Sequence, residues 1–300
     1  MTTTGLTQGW VAKRLPARPP RAHKGTFGRL LIVAGSLEYS GAALLTGLGA
    51  IRAGVGLACL ATPEAVGLRL LGLVPELTAM LLVEEAPGLT APAGWRRLAT
   101  EAPAYAALVV GPGLGRQPAT LRRARNFVTE LQHPAVVDAD GLLALAEVQR
   151  WWPAVSAPLV LTPHPGEFAR LMRLPAGESL VDDDAQRAEA ARQAAARWGQ
   201  VVVLKGAHTV IAAPNGDLLR SDIATPALAT AGSGDVLAGV IGAFLAAGLS
   251  PFDAAGCGVA VHGAAGLLAE DRIGRAGVVA RDIANLLPTA IEQLRDGRRS

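Results

Sequence analysis

The residues best suited to chemistry lie in the stretch ATAGSGDVL, residues 229–237. The Gly-Ser-Gly turn (Gly232, Ser233 and Gly234) lets a backbone approach an anion closely, and the unpaired N–H groups of a first helical turn attract phosphate. Asp235 follows directly. An aspartate with a reference pKa of about 3.9 is ionised at neutral pH, so it can accept the proton of a hydroxyl group that attacks a phosphate. Such general-base help accelerates a reaction by roughly 100- to 10,000-fold.

Asp235 also has a purely structural interpretation. An aspartate that precedes an apolar helix commonly caps that helix, which is worth about 0.5–2 kcal/mol. These few residues do not decide between a base and a cap. The sequence contains no G-x-x-x-x-G-K-[ST] motif, and no G-x-G-x-x-G follows the first predicted strand. The pattern therefore favours neither a P-loop nor a Rossmann phosphate site.

Alternating strands and helices must position this turn. Six apolar runs predict buried strands, beginning near Gly28, Gly56, Ala106, Pro134, Pro158 and Val201. Helical patterns occupy residues 42–53, 63–71, 119–131, 167–172, 183–198, 235–249, 251–269 and 281–295. The segments TVIAAP and NGDLLRS predict a hairpin closed by Asn215-Gly216. This order predicts an α/β protein with a doubly wound, mostly parallel sheet and one antiparallel edge.

The predicted strands end in segments that suit ligand binding. Ligands of open parallel sheets bind beyond the carboxyl ends of the strands. Those ends read GS at 35–36, GPGLG at 111–115, DADG at 138–141, PHPGE at 163–167 and KGAHT at 205–209. We therefore expect these segments to line one cleft.

Length and composition favour one large domain. The chain has 300 residues, of which 50% are hydrophobic and only 4% aromatic, as expected when aliphatic strands and Ala-rich helices bury each other. We expect a loosely packed N-terminal arm at residues 1–22 and a single catalytic domain at residues 23–300. The net charge of +3 comes from basic residues spread along the chain, so no nucleic-acid partner is predicted.

Cysteines and hydropathy indicate the compartment. Cys59 and Cys257 lie in apolar segments without metal-binding spacing and are predicted to be buried thiols of a reducing compartment. The N-terminus lacks the apolar region of a secretory signal. The longest apolar candidate, residues 236–249, is short for a bilayer. We expect a soluble cytoplasmic protein with no membrane partner.

Seven segments together resemble a known family. In the same order as in that family, the sequence has HKGTFGRLLIVAGS, SGAALLTGLGAIRAGVG, GPGLGR, VVDADGLLAL, LTPHPGEFARL, VVVLKGAHTVIAAPNG and TPALATAGSGDVLAGVIGAFLAAG. The resemblance extends from about His23 to Leu287. The chain resembles the nucleotide-dependent NAD(P)H-hydrate dehydratases, which belong to the ribokinase-like superfamily.

The resemblance implies both a fold and a reaction. The fold is a ribokinase-like three-layer αβα sandwich with a mostly parallel central sheet. The reaction restores NADH or NADPH from the S epimer of the form hydrated on the reduced ring (NADHX or NADPHX). ADP or ATP, with Mg²⁺, first phosphorylates the hydroxyl, and loss of phosphate then regenerates the ring. The resemblance also implies a homo-oligomer, a tetramer, and a separate epimerase that acts upstream, because 300 residues leave no room for a fused one.

Site residues follow from the same resemblance. Asp235 is the catalytic base, and the backbone N–H groups of Gly232, Ser233 and Gly234 form the anion hole. The nucleotide is expected at Lys205, Gly206, Ala207, His208 and Thr209, together with Gly234. The hydrated dinucleotide is expected at Ala42, Gly113 and His164, together with Asp235. Glu167 is expected to steer Mg²⁺ through water, in an Asn-x-x-Glu-like element whose Asn is replaced by His164.

Each assignment has a structural alternative. Lys205 also fits a solvated lysine at a strand end, and His208 a surface turn. Ala42 and Gly113 also fit tight turns that need small residues, and His164 a plain loop histidine. Two further residues, Asp138 and Asp140, either support the site or cap the following helix, and His262 is predicted to be a hydrogen-bonded core residue. Ala231 departs from the family, which often has Gly at that position.

Two rival functions remain open. A ribokinase-like kinase that phosphorylates a vitamin-type precursor would share Asp235 and the Gly-Ser-Gly turn, but not HKGTFG, GPGLG and TPHPGE together. A catalytically idle dinucleotide-binding protein would have no chemical need for Asp235. The sequence leaves open the choice between ADP and ATP, and between NADHX and NADPHX.

Overall fold

The computed structural model describes residues 4–70, 72–175 and 183–296. Its helices, numbered along the chain, are α1 (Gln8–Ala12), α2 (Ser40–Arg52), α3 (Glu64–Leu70), α4 (Pro92–Glu101), α5 (Pro118–Glu130), α6 (Asp140–Ala146), α7 (Pro165–Met172), α8 (Asp184–Trp198), α9 (Ser233–Ala246), α10 (Pro251–Ile273) and α11 (Ala280–Asp296). Its strands are β1 (Thr4–Gly5), β2 (Arg29–Val33), β3 (Leu57–Pro63), β4 (Thr78–Leu82), β5 (Glu84–Ala86), β6 (Leu89–Thr90), β7 (Ala107–Val110), β8 (Ala135–Val137), β9 (Leu159–Leu161), β10 (Val201–Leu204), β11 (Val210–Ala212) and β12 (Leu218–Arg220).

Within these residues, ten strands form one sheet in the order β1-β12-β11-β10-β9-β8-β7-β2-β3-β4. Strand β11 pairs antiparallel with β12 through the predicted hairpin and antiparallel with β10 on its other side, and the other neighbouring strands of this sheet pair parallel. The predicted mostly parallel sheet with an antiparallel edge is confirmed. Strand β3 lies on one side of β2, and the later strand β7 lies on its other side. The direction in which successive strands are added to the sheet therefore reverses at β2. Such a switch point is where open α/β sheets bind ligands.

Helices cover both faces of the sheet because its strands are apolar on both sides. In β2, Leu30 and Ile32 belong to one core cluster, which includes residues of α2, α9, α10 and α11. Leu31 and Val33 belong to the opposite cluster, which includes residues of α4, α5, α6, α7 and α8. The expected three-layer αβα sandwich is therefore confirmed.

The N-terminal segment packs more tightly than expected. Strand β1 pairs with β12, and the side chain of Gln8 donates a hydrogen bond of 2.9 Å to the carbonyl of Gln293. Val11 is 1% exposed. Loose packing is wrong for these residues because their apolar side chains complete the core beside α10 and α11. Residues 1–3 lie outside the described residues, and a domain boundary at residue 22 stays a prediction.

Helix α10 is long and apolar enough to cross a bilayer by length and composition, but 78% of its apolar stretch is buried inside the protein. Its small residues pack in the core cluster of α9 and α11. A core helix of an αβα sandwich therefore explains its hydropathy. The predicted thiols Cys59 and Cys257 are both buried and free, as expected.

Candidate active site

The Gly-Ser-Gly turn begins α9 at the carboxyl end of the sheet. Gly232 has a φ of +86°, a left-handed conformation that favours glycine. An added Cβ there would also overlap the side chain of Leu45. Ser233 is buried, and its hydroxyl shares a hydrogen bond of 3.1 Å with Nε2 of His262. The turn is thus held by packing on one side and by a core histidine on the other.

His262 is the hydrogen-bonded core residue that the sequence predicts. Burial lowers its pKa to about 4, so the imidazole is neutral at neutral pH. A neutral imidazole can share a hydrogen bond with Ser233 without adding charge behind the turn. Its place in the structure is to support the first residue of α9.

Asp235 lies in the first turn of α9, and its carboxylate makes no hydrogen bond to other described residues. The capping alternative therefore finds no support. Burial, helped by the nearby carboxylates of Asp138, Asp140 and Glu167 and opposed by the ammonium of Lys205, raises its pKa to about 7. The sequence-based expectation of full ionisation needs this correction, because neighbours from other strands shift the pKa to the range that suits a general base.

Lys205 points into the centre of the site. Its Nζ lies 2.8 Å from Oδ1 of Asp138 and 3.8 Å from Oε2 of Glu167. A Cβ placed on Gly234 would lie 3.3 Å from this nitrogen. Burial disfavours the ammonium, but the carboxylates of Asp138, Glu167 and Asp235 outweigh burial and raise its pKa. The alternative of a solvated lysine at a strand end is wrong.

Asp138 and Asp140 hold other elements and do not cap α6. Asp138 is 1% exposed and accepts a hydrogen bond of 2.8 Å from the hydroxyl of Thr162. Asp140 accepts a bond of 2.9 Å from the backbone N–H of Gly115. Through these hydrogen bonds the two aspartates connect the segments that follow β7, β8 and β9, next to Lys205. Thr162, which the sequence analysis did not single out, is the buried partner that fixes Asp138.

His164 and Glu167 form a capping box at the start of α7. Nδ1 of His164 accepts a hydrogen bond of 3.0 Å from the N–H of Gly166, and Oε2 of Glu167 accepts one of 2.8 Å from the N–H of His164. Burial lowers the pKa of His164 and raises that of Glu167 to about 7. The His164 side chain is still 55% exposed, so capping leaves much of the ring accessible.

Ala42 and Gly113 meet at the switch point between β2 and β7. A Cβ added to Gly113 would lie 2.9 Å from Cβ of Ala42 and 2.7 Å from the carbonyl oxygen of Tyr39. Gly113 must be small for its loop to approach the first turn of α2, which carries Ala42, and this supports the tight-turn interpretation. Both residues also lie where open α/β sheets bind ligands, so their predicted contact with the dinucleotide stays a prediction.

The nucleotide segment (residues 205–209) follows β10. The N–H of Lys205 donates to the carbonyl of Pro163 at 2.9 Å, and the hydroxyl of Thr209 donates to the carbonyl of Gly206 at 2.9 Å. Gly206 and Ala207 are exposed, and His208 has a φ of +54°. The segment is thus an ordered turn with an outer face free for a ligand, and its inner face contacts Arg187, which the sequence analysis did not single out.

Among the described residues, no group of three or more His, Cys, Asp or Glu side chains is arranged to hold a metal ion. The carboxylate of Glu167 already accepts the N–H of His164 and lies 3.8 Å from Lys205. Mg²⁺ usually keeps several waters and binds through one or two carboxylates and substrate phosphates. These donors therefore fit a water-mediated Mg²⁺ and not a site built from protein ligands alone.

The doubly wound sheet with helices on both faces has the ribokinase-like fold. A ribokinase-like superfamily protein of Enterococcus faecalis V583 shares the fold, with a TM-score of 0.77 over 97% of this chain and 96% of that one at 23% identity. The family model for NAD(P)H-hydrate dehydratase matches residues 30–289. The chain belongs to the NAD(P)H-hydrate dehydratase family, as the motifs predict.

Individual relatives agree with this membership. The ADP-dependent (S)-NAD(P)H-hydrate dehydratase of Bacillus subtilis is 36% identical over 94% of this chain and 95% of its own length. A crystal structure of the ADP/ATP-dependent enzyme from Bacillus subtilis, obtained with ATP and Mg²⁺, has a TM-score of 0.84 and 34% identity over 98% of this chain and 99% of that one. The bifunctional NAD(P)H-hydrate repair enzyme Nnr of Moorella thermoacetica is 40% identical over 97% of this chain. The chain spans 54% of that relative's length.

Proposed function

We propose that this protein catalyses the nucleotide-dependent dehydration of the S epimer of hydrated NADH or NADPH, and so restores the reduced cofactor. One observation carries the proposal: within a chain of this family, Asp235 has a pKa of about 7 and lies beside the Gly-Ser-Gly turn and the ammonium of Lys205. An idle binding protein has no need for a base tuned to neutral pH at that position.

Phosphorylation is the first step. Asp235 removes the proton of the substrate hydroxyl, and the oxygen attacks the terminal phosphorus of the nucleotide. The bond from that phosphorus to the bridging oxygen breaks. The leaving group is AMP when the donor is ADP, and ADP when the donor is ATP. Backbone N–H groups of the Gly-Ser-Gly turn stabilise the charge on the transferred group, because donors fixed at a helix start need no reorganisation during the reaction.

Elimination is the second step. The carbon–oxygen bond to the phosphate breaks with its electron pair on the leaving phosphate, and a proton leaves the neighbouring carbon, which restores the ring double bond. Phosphate is a better leaving group than hydroxide, and this explains why a dehydration consumes a nucleotide. The same anion-binding turn holds the departing phosphate.

Ligand contacts are assigned on the same basis. The nucleotide lies against the exposed face of residues 205–209 and against Gly234. The hydrated ring reaches Asp235 from the switch point beside Ala42 and Gly113, and the exposed part of the His164 ring faces the dinucleotide. The order of the strands supports this division, since the two predicted sites approach Asp235 from different strand ends.

Mg²⁺ completes the proposed site. Glu167, whose carboxylate also accepts the N–H of His164, would hold the ion through water, and the nucleotide phosphates would supply the other ligands. When bound, Mg²⁺ neutralises phosphate charge. Glu167 and Lys205 keep the phosphate end of the nucleotide oriented toward the Gly-Ser-Gly turn.

We further propose a cytoplasmic homotetramer, on the strength of the family resemblance, which sedimentation of the purified protein would test. An enzyme specific for the S epimer requires a separate epimerase upstream, because hydration without stereoselectivity would form the R epimer as well.

The deciding experiment mixes the protein with the S epimer of hydrated NADH, Mg²⁺ and either ADP or ATP, and follows the near-ultraviolet absorbance of reduced nicotinamide. We expect absorbance to rise only when nucleotide is present. Asp235→Asn should lower the rate by roughly 100- to 10,000-fold while remaining folded. Asp271→Asn, which changes an exposed aspartate of α10, is the matched control and should be fully active. Nucleotide consumption with another hydroxylated substrate, and none with hydrated NADH, would assign the protein to the small-molecule kinases.

A further inference from the structure

Arg187 is a buried arginine in the first turns of α8. It is 2% exposed and is among the largest fully buried side chains of the described residues. Its Nη1 donates a hydrogen bond of 2.6 Å to the carbonyl of Ala207, and its Nη2 donates to the carbonyls of Lys205 at 3.1 Å and Leu204 at 3.3 Å. All three acceptors are main-chain oxygens in the nucleotide segment or directly before it.

Burial of a guanidinium is costly unless the group is paired and hydrogen-bonded. The only carboxylate in contact with Arg187 among the described residues is that of Asp184, with Oδ1 3.4 Å from Nη1. The Nε of Arg187 is buried and has no hydrogen-bond partner among the residues that the structure describes. An apolar side chain would fill this space at lower cost. The three carbonyl bonds are therefore the specific contribution of the arginine, whose planar fork can reach several acceptors at once.

These bonds fix the directions of the peptide groups in the segment. The C=O and N–H of a trans peptide point in opposite directions. Holding the carbonyl of Lys205 therefore turns the N–H of Gly206 away from Arg187, toward the exposed side. Holding the carbonyl of Ala207 turns the N–H of His208 away as well, and this group donates to the carbonyl of Ile223 at 3.4 Å.

Gly206 shows how closely the segment and the guanidinium fit. Its φ is +147°, and an added Cβ would lie 2.6 Å from Nη2 of Arg187. A larger residue would push the guanidinium from the carbonyls. The glycine of the KGAHT motif is thus required by a contact on the inner face, while the outer face at Ala207 stays exposed.

We propose that Arg187 is a positioning residue, whose guanidinium holds residues 205–207 from beneath in the conformation that receives the adenine nucleotide. The proposal rests on the proposed function, which places the nucleotide on this segment. Because Lys205 is one of the held residues, Arg187 also fixes the base of the side chain that reaches Asp138. Arg187 itself does not touch the nucleotide.

The test compares Arg187→Met and Arg187→Lys with the native enzyme in steady-state assays. We expect Arg187→Met to raise the KM for ADP at least tenfold and to change the KM for hydrated NADH less than threefold. Arg187→Lys keeps the charge but can bond fewer carbonyls, so it should recover part of the ADP affinity. Arg192→Met alters an arginine of the same helix whose side chain is 38% exposed and pairs with Glu189, and should change neither constant.

A second readout needs no activity. Hydrogen exchange of the amides at residues 205–209, measured without nucleotide, should speed up at least tenfold in Arg187→Met and stay unchanged in Arg192→Met. Circular dichroism and Tm establish that the variants are folded. If Arg187→Met does not fold, the exchange rates and KM values of Arg187→Lys alone are compared with those of the native enzyme.

The outcomes separate the two proposals. A folded Arg187 variant with native exchange and a native KM for ADP overturns the positioning role. Faster exchange with a native KM for ADP shows that the segment is held by Arg187 but does not bind the nucleotide, which overturns this proposal and the nucleotide assignment together. Loss of both substrate affinities to the same extent shows a general structural defect and overturns it as well.

Discussion

The ammonium nitrogen of Lys205 lies 2.8 Å from Oδ1 of Asp138, although β9 separates the strands that carry them. Lys205 follows β10 and Asp138 follows β8, so the side chains meet above the end of the middle strand. Thr162, at the end of β9, completes the arrangement with a hydrogen bond of 2.8 Å to the same oxygen. Three adjacent strand ends thus contribute to one buried ion pair beneath Asp235.

Burial is the main cause of the raised pKa of Asp235, the predicted catalytic base, and this ion pair modifies that pKa. The carboxylates of Asp138, Asp140 and Glu167 raise the pKa of Asp235 in addition to burial, and Lys205 opposes them. The site therefore holds more negative charge than one ammonium balances. Binding of a proton, or of the Mg²⁺ that accompanies a nucleotide, would reduce this excess negative charge. We therefore expect the reaction rate to depend strongly on pH.

The first prediction concerns the pH profile. With Asp235 as the proposed base and its pKa at about 7, kcat/KM should fall about tenfold per unit below pH 6 and level off above pH 8. In Glu167→Gln the midpoint should shift to lower pH, because one of the carboxylates that raise the Asp235 pKa is removed. Gln keeps an acceptor for the N–H of His164. Initial rates between pH 5 and pH 9, within the range of protein stability, provide the measurement.

Glu189→Gln serves as the control for that profile, since Glu189 is an exposed residue of α8 paired with Arg192. Its midpoint should equal the native one. An unshifted midpoint in Glu167→Gln would show that the two carboxylates do not interact, and a rate independent of pH from 6 to 8 would remove Asp235 from the role of base.

The second prediction concerns stability. The folded pKa of Asp235 is about 7 against an ordinary value of 3.8, so between these values the folded state binds the proton more tightly. This carboxyl group therefore lowers stability as pH rises from about 4 to about 7. Asp235→Asn abolishes that loss. The variant should be more stable than the native protein by about 2–4 kcal/mol at pH 8 and nearly equal to it at pH 4. Denaturant unfolding at both pH values measures the difference, and an equal difference at both would contradict the raised pKa.

Much of the fold could be predicted because local patterns encode it. Apolar runs buried on both faces marked β2, β3, β7, β8, β9 and β10, and Asn215-Gly216 marked the hairpin. Predicted helix boundaries agree within a few residues; α7 begins at Pro165, earlier than the predicted residue 167, and the predicted end at residue 71 lies outside the described residues. The sequence analysis missed β1, β4, β5, β6, α1, α4 and α6. Several of these are short, although α4 has ten residues and a proline at its start, which is a local signal of a helix. Strand β1 has two residues and depends on distant β12, and α6 has only seven.

The candidate site divides in the same way. Glycines beside strand ends and the aspartate at a helix start are readable from spacing alone. The Lys205–Asp138 ion pair joins residues 67 positions apart, and the bonds of Arg187 connect one element to the loop of another. These relations depend on the packing of the sheet, so the pKa of Asp235 and the support of the nucleotide segment could not be predicted from the sequence.

The third prediction removes the ammonium. Lys205→Met leaves the buried carboxylate of Asp138 without its ion pair and takes away the charge that lowers the Asp235 pKa. We expect kcat to fall at least 100-fold and the pH midpoint of the residual activity to rise. Stability should drop by about 3–5 kcal/mol, the usual cost of breaking a buried pair. Lys13→Met changes an exposed lysine and should match the native enzyme. Native kcat in the folded Lys205→Met variant would limit Lys205 to a structural role.

The last prediction concerns the support of the Gly-Ser-Gly turn. The hydroxyl of Ser233 and Nε2 of His262 share a buried hydrogen bond of 3.1 Å, so removing one partner leaves the other unsatisfied at a cost of about 1–3 kcal/mol. Ser233→Ala and His262→Phe should each destabilise the protein, and the double variant should lose less than the sum of the two. Because the bond positions the first residue of α9, each single variant should also lower kcat more than it changes the KM for ADP. Additive losses of stability in this double-mutant cycle would show that the two side chains do not interact, and native kcat in both single variants would show that the turn keeps its geometry without them.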